Sequence, residues 1–404
     1  MQRRHDLDWV RICAFGLLVL YHVGMYYVSW DWHVNSPQPV TALEPVMLLS
    51  SPWRLSLLFL VSGVATAFLL GKTERAATAA GGRPRFIGAR TWRLLLPLVF
   101  GMLVIVPPQS YYELLDSRYP SGWDAGYLAF WGRYLQGDGS FCDDDGCLSL
   151  PTWNHLWFVA YLWVYTLALW LLWRFARPLL DAGRRLLERG LRGWGVLLWP
   201  ALLLGLGRML LIGLFPPTHA LVDDWHNHLQ YFGVFLLGFL LARHAPAWEA
   251  IERLRWPALL LWLAGWGALV GYFHAFAEVM PPQAMRLAMR VAWGIGQWAA
   301  IVAVLGFARR FDPGDGPVLR YLVPAVFPVY ILHQTVTVVL AYNLRPAALP
   351  PLLEGPLLVL ATFALCFAGY ELVRRVRWLR PLFGLGPVAP APPINTGASS
   401  EARG

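Results

Sequence analysis

The sequence predicts an all-α, polytopic membrane protein with about ten transmembrane helices and both termini in the cytoplasm. Three observations support this prediction: an apolar composition, ten long apolar runs, and basic residues concentrated in alternate loops. The chain of 404 residues is 57% hydrophobic and only 14% charged, with a mean hydropathy of +0.47. A soluble domain would carry roughly 25% charged residues.

Ten apolar runs approach the ~20 residues that a helix needs to cross a bilayer. The predicted spans are 10–29, 53–71, 89–107, 154–174, 194–215, 227–242, 257–277, 286–308, 321–341 and 356–373. The purely apolar parts of the third and sixth runs are short. We predict a single membrane domain over residues 1–386 and a disordered tail over 387–404, which is rich in Pro, Ala and Ser.

The distribution of Lys and Arg predicts the orientation. The two termini and the four loops on their side carry 26 of the 33 basic residues, and the rest of the chain carries 7. Cytoplasmic segments are the basic ones, so both termini are predicted to be cytoplasmic. The net charge of +9 follows from this asymmetry. We expect no nucleic-acid partner, because the basic residues do not cluster on one module.

The largest predicted non-cytoplasmic loop, 108–152, contains Cys142 and Cys147 on either side of an acidic run, residues 143–145. An oxidising periplasm would favour a small disulfide loop, and the alternative is two free thiols. The acidic run is interpreted as a solvated turn rather than a cation site.

The first span carries the most informative side chain, His22. Eleven residues at about 100° each place His22 within about 20° of Arg11 on the same helix face, ~16 Å further along the axis. Asp8 lies on that face as well. A histidine inside a span is either functional or a hydrogen-bonded core residue. An imidazole suits a general base that takes a proton from a hydroxyl group, and we expect its missing partner on another span.

Arg90 and Arg93 enter the third span three residues apart and share a helix face. They could grip phosphate groups, or simply extend to the membrane boundary. The use of Arg is uninformative because Lys72 is the one lysine among the basic residues.

Other polar residues in the spans leave two interpretations each. His333 has either a second acid/base or acceptor-orienting role, or a structural hydrogen bond to a neighbouring helix. Asn154 and His155 either contact an acceptor or cap the fourth span. Arg208 lies deep in the fifth span and faces either a polar cavity or an intramembrane partner.

The loop from Asp223 to His228 clusters carboxylates and imidazoles. His226 and His228 are two residues apart and do not share a helix face, and no thiolate completes a tetrahedral set. We therefore predict no metal site and interpret this loop as a source of carbohydrate contacts or a simple connection.

Several segments together resemble the membrane acyltransferase-3 family, which includes O-acyltransferases of surface and periplasmic glycans. The segments that carry the resemblance are Arg11-x10-His22, Leu58-Phe59-Leu60-Val61-Ser62-Gly63, Arg90-x-x-Arg93, His155-Leu156-Trp157-Phe158 and Tyr330-Ile331-Leu332-His333-Gln334. The similarity extends from residue 6 to about 377. Many members have Trp-Ser-Leu-x-x-Glu where this chain has Leu162 in place of the glutamate, and in this respect the chain is nearer to the glucan-modifying branch.

The resemblance implies an enzyme of the bacterial inner membrane that transfers an acetyl or succinyl group. The donor would be cytoplasmic acyl-CoA, and the acceptor a carbohydrate hydroxyl on the periplasmic side. His22 would be the catalytic base with Arg11 as its partner, and Arg90 and Arg93 would hold the donor. We assign His155, Arg208 and His333 to substrate binding. Direct transfer and a transient acyl-enzyme remain alternatives.

The competing prediction is a secondary transporter of a lipid or sugar, which ten spans and intramembrane charges would also fit. Against it, the sequence shows no repeated halves and no pair of matching broken helices. A non-catalytic scaffold would not require so many polar groups inside the membrane.

Overall fold

The computed structural model describes residues 4–79, 86–116, 123–143 and 146–387. Most of the described residues are helical, as the sequence predicts. The helices are α1 (His5–Tyr27), α2 (Glu44–Ser50), α3 (Arg54–Ala79), α4 (Phe86–Phe100), α5 (Pro107–Leu115), α6 (Gly126–Leu135), α7 (Trp157–Phe175), α8 (Arg177–Gly190), α9 (Gly195–Leu211), α10 (Trp225–Asn227), α11 (Gly233–Leu241), α12 (Ala245–Arg253), α13 (Arg255–Ala275), α14 (Gln283–Arg310), α15 (Pro317–Leu344), α16 (Pro351–Arg375) and α17 (Leu379–Leu382). The predicted tail lies outside the described residues, except for Pro387.

Within the described ranges, eight helical segments are long and apolar enough to cross a membrane, and two bent pairs raise the number to ten. The pair α8 and α9 bends by 119°, and the α10–α11 segment bends by 113° where it meets α12. The prediction of an all-α protein with about ten spans is confirmed. Helices α1, α3, α7, α9 and α13 to α16 each overlap one predicted span.

Helices α8 and α12 lie in segments that connect the predicted spans, for which the sequence predicted no helix. Leu180 of α8 is buried, whereas Arg184 and Arg185 on the same helix are exposed. Short amphipathic helices of this kind typically lie along a membrane surface. Their charged residues interrupt the sequence, so a search for apolar runs does not detect them.

The third and sixth spans, whose apolar parts are short, each contain a π-helical turn. These turns are Gly101–Ile105 and His228–Phe232. The Val106 amide donates to the Gly101 carbonyl over 2.8 Å, which is the five-residue spacing of a π turn. Such turns are frequent at functional sites.

Helices α3 and α11 approach each other closely because glycines face each other's backbones. A Cβ atom on Gly63 would lie 2.0 Å from the Phe235 carbonyl oxygen, and one on Gly238 would lie 2.2 Å from that of Leu60. Neither position has room for a side chain. Small residues commonly allow this packing between helices in membranes.

Four spans converge on an aromatic cluster in the middle of the bundle. Phe15 of α1 lies 5.1 Å from Tyr330 of α15, and Phe59 of α3 lies 4.5 Å from Phe158 of α7, measured between ring centroids. Edge-to-face and tilted ring pairs stabilise a buried contact beyond the area they bury. Phe158 and Tyr330 of this cluster form the aromatic floor of the cavity described below.

Contacts between helix ends place the start of α1 beside the start of α15 and the end of α16. The Trp9 indole donates to the Gly314 carbonyl over 3.3 Å, and the Arg374 guanidinium lies 5.6 Å from the Tyr321 ring. The two ends of the described membrane domain thus lie at the same end of the bundle. That this end is cytoplasmic stays a prediction.

At the opposite end, Cys142 and Cys147 form a disulfide across a hairpin. The strands β1 (Cys142–Asp143) and β2 (Gly146–Cys147) are antiparallel and make up the one sheet among the described residues. Of the two alternatives, the structure therefore contains the disulfide. Two members of the acidic run, Asp144 and Asp145, lie outside the described residues.

Candidate active site

His22 and His333 meet near the middle of the bundle although 311 residues separate them in sequence. Nδ1 of His22 lies 2.8 Å from Nε2 of His333, and the two ring planes are within 7° of parallel. His333 is fully buried on α15, whereas His22 on α1 is half-buried. The partner that we expected for His22 on another span is therefore His333.

The hydrogen bonds determine which nitrogens carry protons when both rings are neutral. Nδ1 of His333 lies 2.6 Å from the Tyr330 carbonyl oxygen, and a carbonyl only accepts, so this nitrogen donates. Nε2 of His333 must then accept, and Nδ1 of His22 donates to it. This leaves the lone pair of His22 on Nε2, which has no hydrogen-bond partner among the described residues.

His155 contributes a buried ring with both nitrogens in use. Its Nε2 donates to the Ile331 carbonyl over 3.1 Å, and its Nδ1 accepts from the Gln109 amide over 3.3 Å. The Tyr330 hydroxyl donates to the His155 carbonyl. His155 therefore orders the surroundings of His333 and has no ring nitrogen available for proton transfer.

Gln109 is fully buried and joins three segments. Its amide nitrogen donates to the Thr335 hydroxyl over 2.7 Å, and its oxygen accepts from Asn154 over 3.1 Å and from Gln334 over 3.0 Å. Asn154 thus contacts Gln109 and makes no side-chain cap at the helix start that follows it. A satisfied buried network of this kind keeps its members in one arrangement.

His33 extends the network towards the loops. Its Nε2 accepts from the Gln334 amide over 2.9 Å, and its Nδ1 donates to the Glu113 carboxylate over 2.6 Å. In each of the rings of His33, His155 and His333, one N–H donates a hydrogen bond and the other nitrogen accepts one. Of the four histidines, His22 alone presents an unused ring nitrogen.

A cavity of about 490 Å³ opens above the aromatic floor and contains His22 in its wall. Tryptophans 32, 153 and 157 form much of the remaining wall. His219 also lines the cavity, 4.1 Å from the Trp157 ring between centroids. Burial lowers the pKa of His219, against the opposing effect of Asp224, so this ring is neutral at neutral pH. The lining mixes these aromatic rings with polar side chains, as is typical of small-molecule and sugar sites.

Arg54 stands in the same cavity wall, at the start of α3. Only 7% of its surface is exposed, and its guanidinium carbon lies 3.3 Å from the centroid of the Tyr21 ring. This contact is a cation–π interaction. The free Nε2 of His22 and this buried cation thus belong to one cavity.

A second cavity, of about 350 Å³, lies at the other end of α1 and α3. Its charged lining comprises Arg4, Asp8, Arg11, Lys72 and Arg75. Arg11 lies 3.6 Å from Asp8 and 3.5 Å from the Val323 carbonyl oxygen. Four cations and one carboxylate give this cavity a positive balance, which suits a ligand with several negative charges.

Arg90 and Arg93 on α4 add to the positive charge at this end. Arg93 is exposed, and the half-buried Arg90 experiences the like charges of Arg93 and Arg11. Arginines that lie close together despite their electrostatic repulsion are typical of sites that bind phosphate groups. Arg11 is separated from His22 by ~16 Å along α1, so the two cavities lie one above the other.

The comparisons with known proteins decide the family. The sequence model of the family described as "Acyltransferase domain", of the acyltransferase-3 type, matches residues 4–371. The chain belongs to this family. The resemblance expected from the motifs is thus confirmed, and the protein is a multi-pass membrane acyltransferase. The family also decides against the transporter alternative.

Among curated proteins, the acyltransferase is similar to Glucans biosynthesis protein C from two bacteria. It is 21% identical over 408 residues to that of Escherichia coli O139:H28 (strain E24377A / ETEC). It is 23% identical over 402 residues to that of Shigella dysenteriae serotype 1 (strain Sd197). Each alignment covers 96% of this chain and 96% of the relative. No solved structure gives a significant match.

The acyltransferase does not bring all the expected site residues together. His22, His155 and His333 meet at the first cavity, whereas Arg11, Arg90 and Arg93 lie towards the second. Arg208 lines neither cavity, and its guanidinium carbon lies 4.2 Å from the centroid of the Trp293 ring. The intramembrane partner of Arg208 is thus an aromatic ring.

The loop from Asp223 to His228 has a structural arrangement in the acyltransferase. Asp224 is fully buried and accepts from the Tyr161 hydroxyl and from the backbone amides of Thr218 and His219. His228 accepts from Tyr165 and donates to the Leu221 carbonyl. Within the described ranges, no three His, Cys, Asp or Glu side chains are arranged to hold a metal ion.

Proposed function

We propose that this acyltransferase moves an acetyl or succinyl group from cytoplasmic acyl-CoA to a hydroxyl group of a glucan on the periplasmic side of a bacterial inner membrane. The observation that carries the proposal is the unused Nε2 of His22 in the wall of the first cavity. The names of the relatives support a glucan as the acceptor.

In this proposal His22 acts as the general base. The acceptor hydroxyl gives its proton to Nε2 of His22 while its oxygen attacks the thioester carbon. The imidazolium that forms keeps its Nδ1–H bond to His333, which spreads the charge towards the Tyr330 carbonyl. Base catalysis by a positioned imidazole of this kind typically contributes about 10²–10⁴ in rate.

The donor enters from the second cavity. The phosphates of acyl-CoA lie among Arg11, Arg90 and Arg93, and the pantetheine arm extends along α1 towards His22. The ~16 Å between Arg11 and His22 matches the reach of such an arm. Because the thioester travels inside the protein, acyl-CoA itself never has to cross the membrane.

Vesicles with a defined orientation test this function. Inside-out vesicles that contain the wild-type protein are loaded with the glucan fraction of an Escherichia coli strain lacking Glucans biosynthesis protein C. Labelled acetyl-CoA or succinyl-CoA is then added outside, at the cytoplasmic face, and acylated glucan is measured by mass spectrometry. We expect acyl groups on the trapped glucan with one of the two donors. No acylation with either donor, or acylation only when the donor is trapped with the glucan, would contradict the proposal.

The single lysine of the chain provides a direct test of the donor site. Lys72 lines the second cavity and is exposed, so an amine-reactive reagent will modify it. CoA at about ten times its Kd should slow this modification about tenfold, because about a tenth of the sites then stay empty. Peptide mass spectrometry measures the modified fraction over time. Pantetheine, which lacks the nucleotide phosphates, serves as the matched control and should not protect; equal rates with and without CoA would contradict this donor site.

A further inference from the structure

Arg54 is a buried cation that the steps above leave without a role. It is 93% buried, and its Nε and Nη1 atoms are inaccessible and have no hydrogen-bond partner among the described residues. Leaving N–H groups of a charged side chain unpaired in a protein interior is costly. An arrangement of this kind indicates that an anion occupies the cavity at some stage of the reaction.

The surroundings hold the cation beside the base. The guanidinium group lies against the ring of Tyr21, the residue that precedes His22, and its charge acts electrostatically on His22. Both residues line the same cavity. The planar group therefore has a defined orientation before any substrate arrives, as electrostatic catalysis requires.

The amide and imidazole donors of the polar network beside this cavity are already committed. The Gln334 amide donates to His33 and Gln109, the Asn154 amide donates to Gln109, and the His155 ring donates to Ile331. These groups hold the network together, so their N–H groups are not available to donate to a reacting atom. The Arg54 guanidinium retains its donor groups for a substrate.

We propose that Arg54 stabilises the negative charge that develops on the thioester oxygen during transfer. This inference rests on the proposed function. As the acceptor oxygen bonds to the thioester carbon and its proton passes to His22, an electron pair moves onto the carbonyl oxygen, where the Arg54 N–H groups donate to it. The carbonyl then re-forms, the carbon–sulfur bond breaks, and the CoA sulfur takes the proton from His22. The products are an ester and free CoA.

Arg54→Met and Arg54→Lys test the proposal in the vesicle assay, with kcat and KM measured for each donor that the wild type uses. Removing one oxyanion donor typically costs about 10²–10³ in kcat, and we expect a loss of that size for Arg54→Met with an unchanged KM. Added guanidinium ions should restore part of the rate, which a purely structural role would not explain. Arg286→Met is the matched control, because Arg286 donates to the Pro281 carbonyl and lines neither cavity.

Two results would overturn the role of Arg54. One is a wild-type kcat for Arg54→Met. The other is a raised KM for succinyl-CoA with kcat retained, which would mean that Arg54 binds a carboxylate of the donor instead. If Arg54→Met does not fold, Arg54→Lys decides, and it should lower kcat without changing KM. Wild-type protein that transfers no acyl group would disprove the proposed function itself, which keeps the two failures distinct.

Discussion

Replacing His22 by alanine is expected to lower the rate of acyl transfer by about 10²–10⁴, the usual contribution of a general base. The physical reason is that Nε2 of His22 is the unused imidazole nitrogen of the histidine network, and no other histidine of that network can accept a proton without losing a hydrogen bond. The measurement is acylated glucan per unit time in inside-out vesicles.

Two controls make a loss of activity specific to His22. His274→Ala removes an exposed histidine on α13 and should leave the rate unchanged. The His22→Ala protein should still be protected by CoA at Lys72, which shows that it is folded and binds the donor. A His22→Ala variant that transfers acyl groups at the wild-type rate would disprove the mechanism.

His333 is expected to act through His22, so its replacement should have a smaller effect. Outer partners that orient a reacting group typically contribute about 10–100-fold, and we expect His333→Ala to lower kcat by that factor. Without an acceptor for Nδ1–H, the His22 ring loses its fixed tautomer and its imidazolium loses a hydrogen bond. In His333→Gln, the side-chain oxygen can replace Nε2 as the acceptor and should restore part of the rate.

The double variant distinguishes an orienting role from an independent one. If His333 works only through His22, then His22→Ala combined with His333→Ala should be no slower than His22→Ala alone, because residues that act as a unit are not additive. Rates that multiply would show that His333 takes part in a separate step.

The positions of the spans could be predicted from sequence because an apolar run of about 20 residues is a strong physical signal. The two surface helices α8 and α12 could not, since their charges interrupt that signal. Their helical structure was not predicted because an amphipathic helix and a charged loop have similar compositions, and only the angular arrangement of their residues separates them.

Individual residues of the candidate site could be predicted from the sequence, but their contacts could not. His22 could be singled out because an imidazole inside an apolar span is costly, and His333 for the same reason. Their pairing could not be predicted, because no periodicity in a single sequence relates residues 311 positions apart. From the sequence, His333 was therefore considered as a separate acid/base, a substrate-binding residue or a structural residue, and not as the partner of His22.

Two residues of the site were not singled out from the sequence. Arg54 appeared only as one of the seven basic residues on the predicted outer side, although its position there is itself unusual. Gln109 follows Pro107 and Pro108 in what was interpreted as the start of a loop. Its importance comes from four partners in two other segments.

The π turn at Gly101–Ile105 gives the third span a tolerance in length. A π turn accommodates one more residue than an α turn, so deleting a residue there would convert it to an α turn and leave the residues beyond it in nearly the same orientation. Gln109, four residues beyond the turn, would keep its hydrogen bonds to His155 and Gln334. Homologous chains that are one residue shorter in this segment are therefore expected to have an α turn here and to retain the polar network beside the cavity.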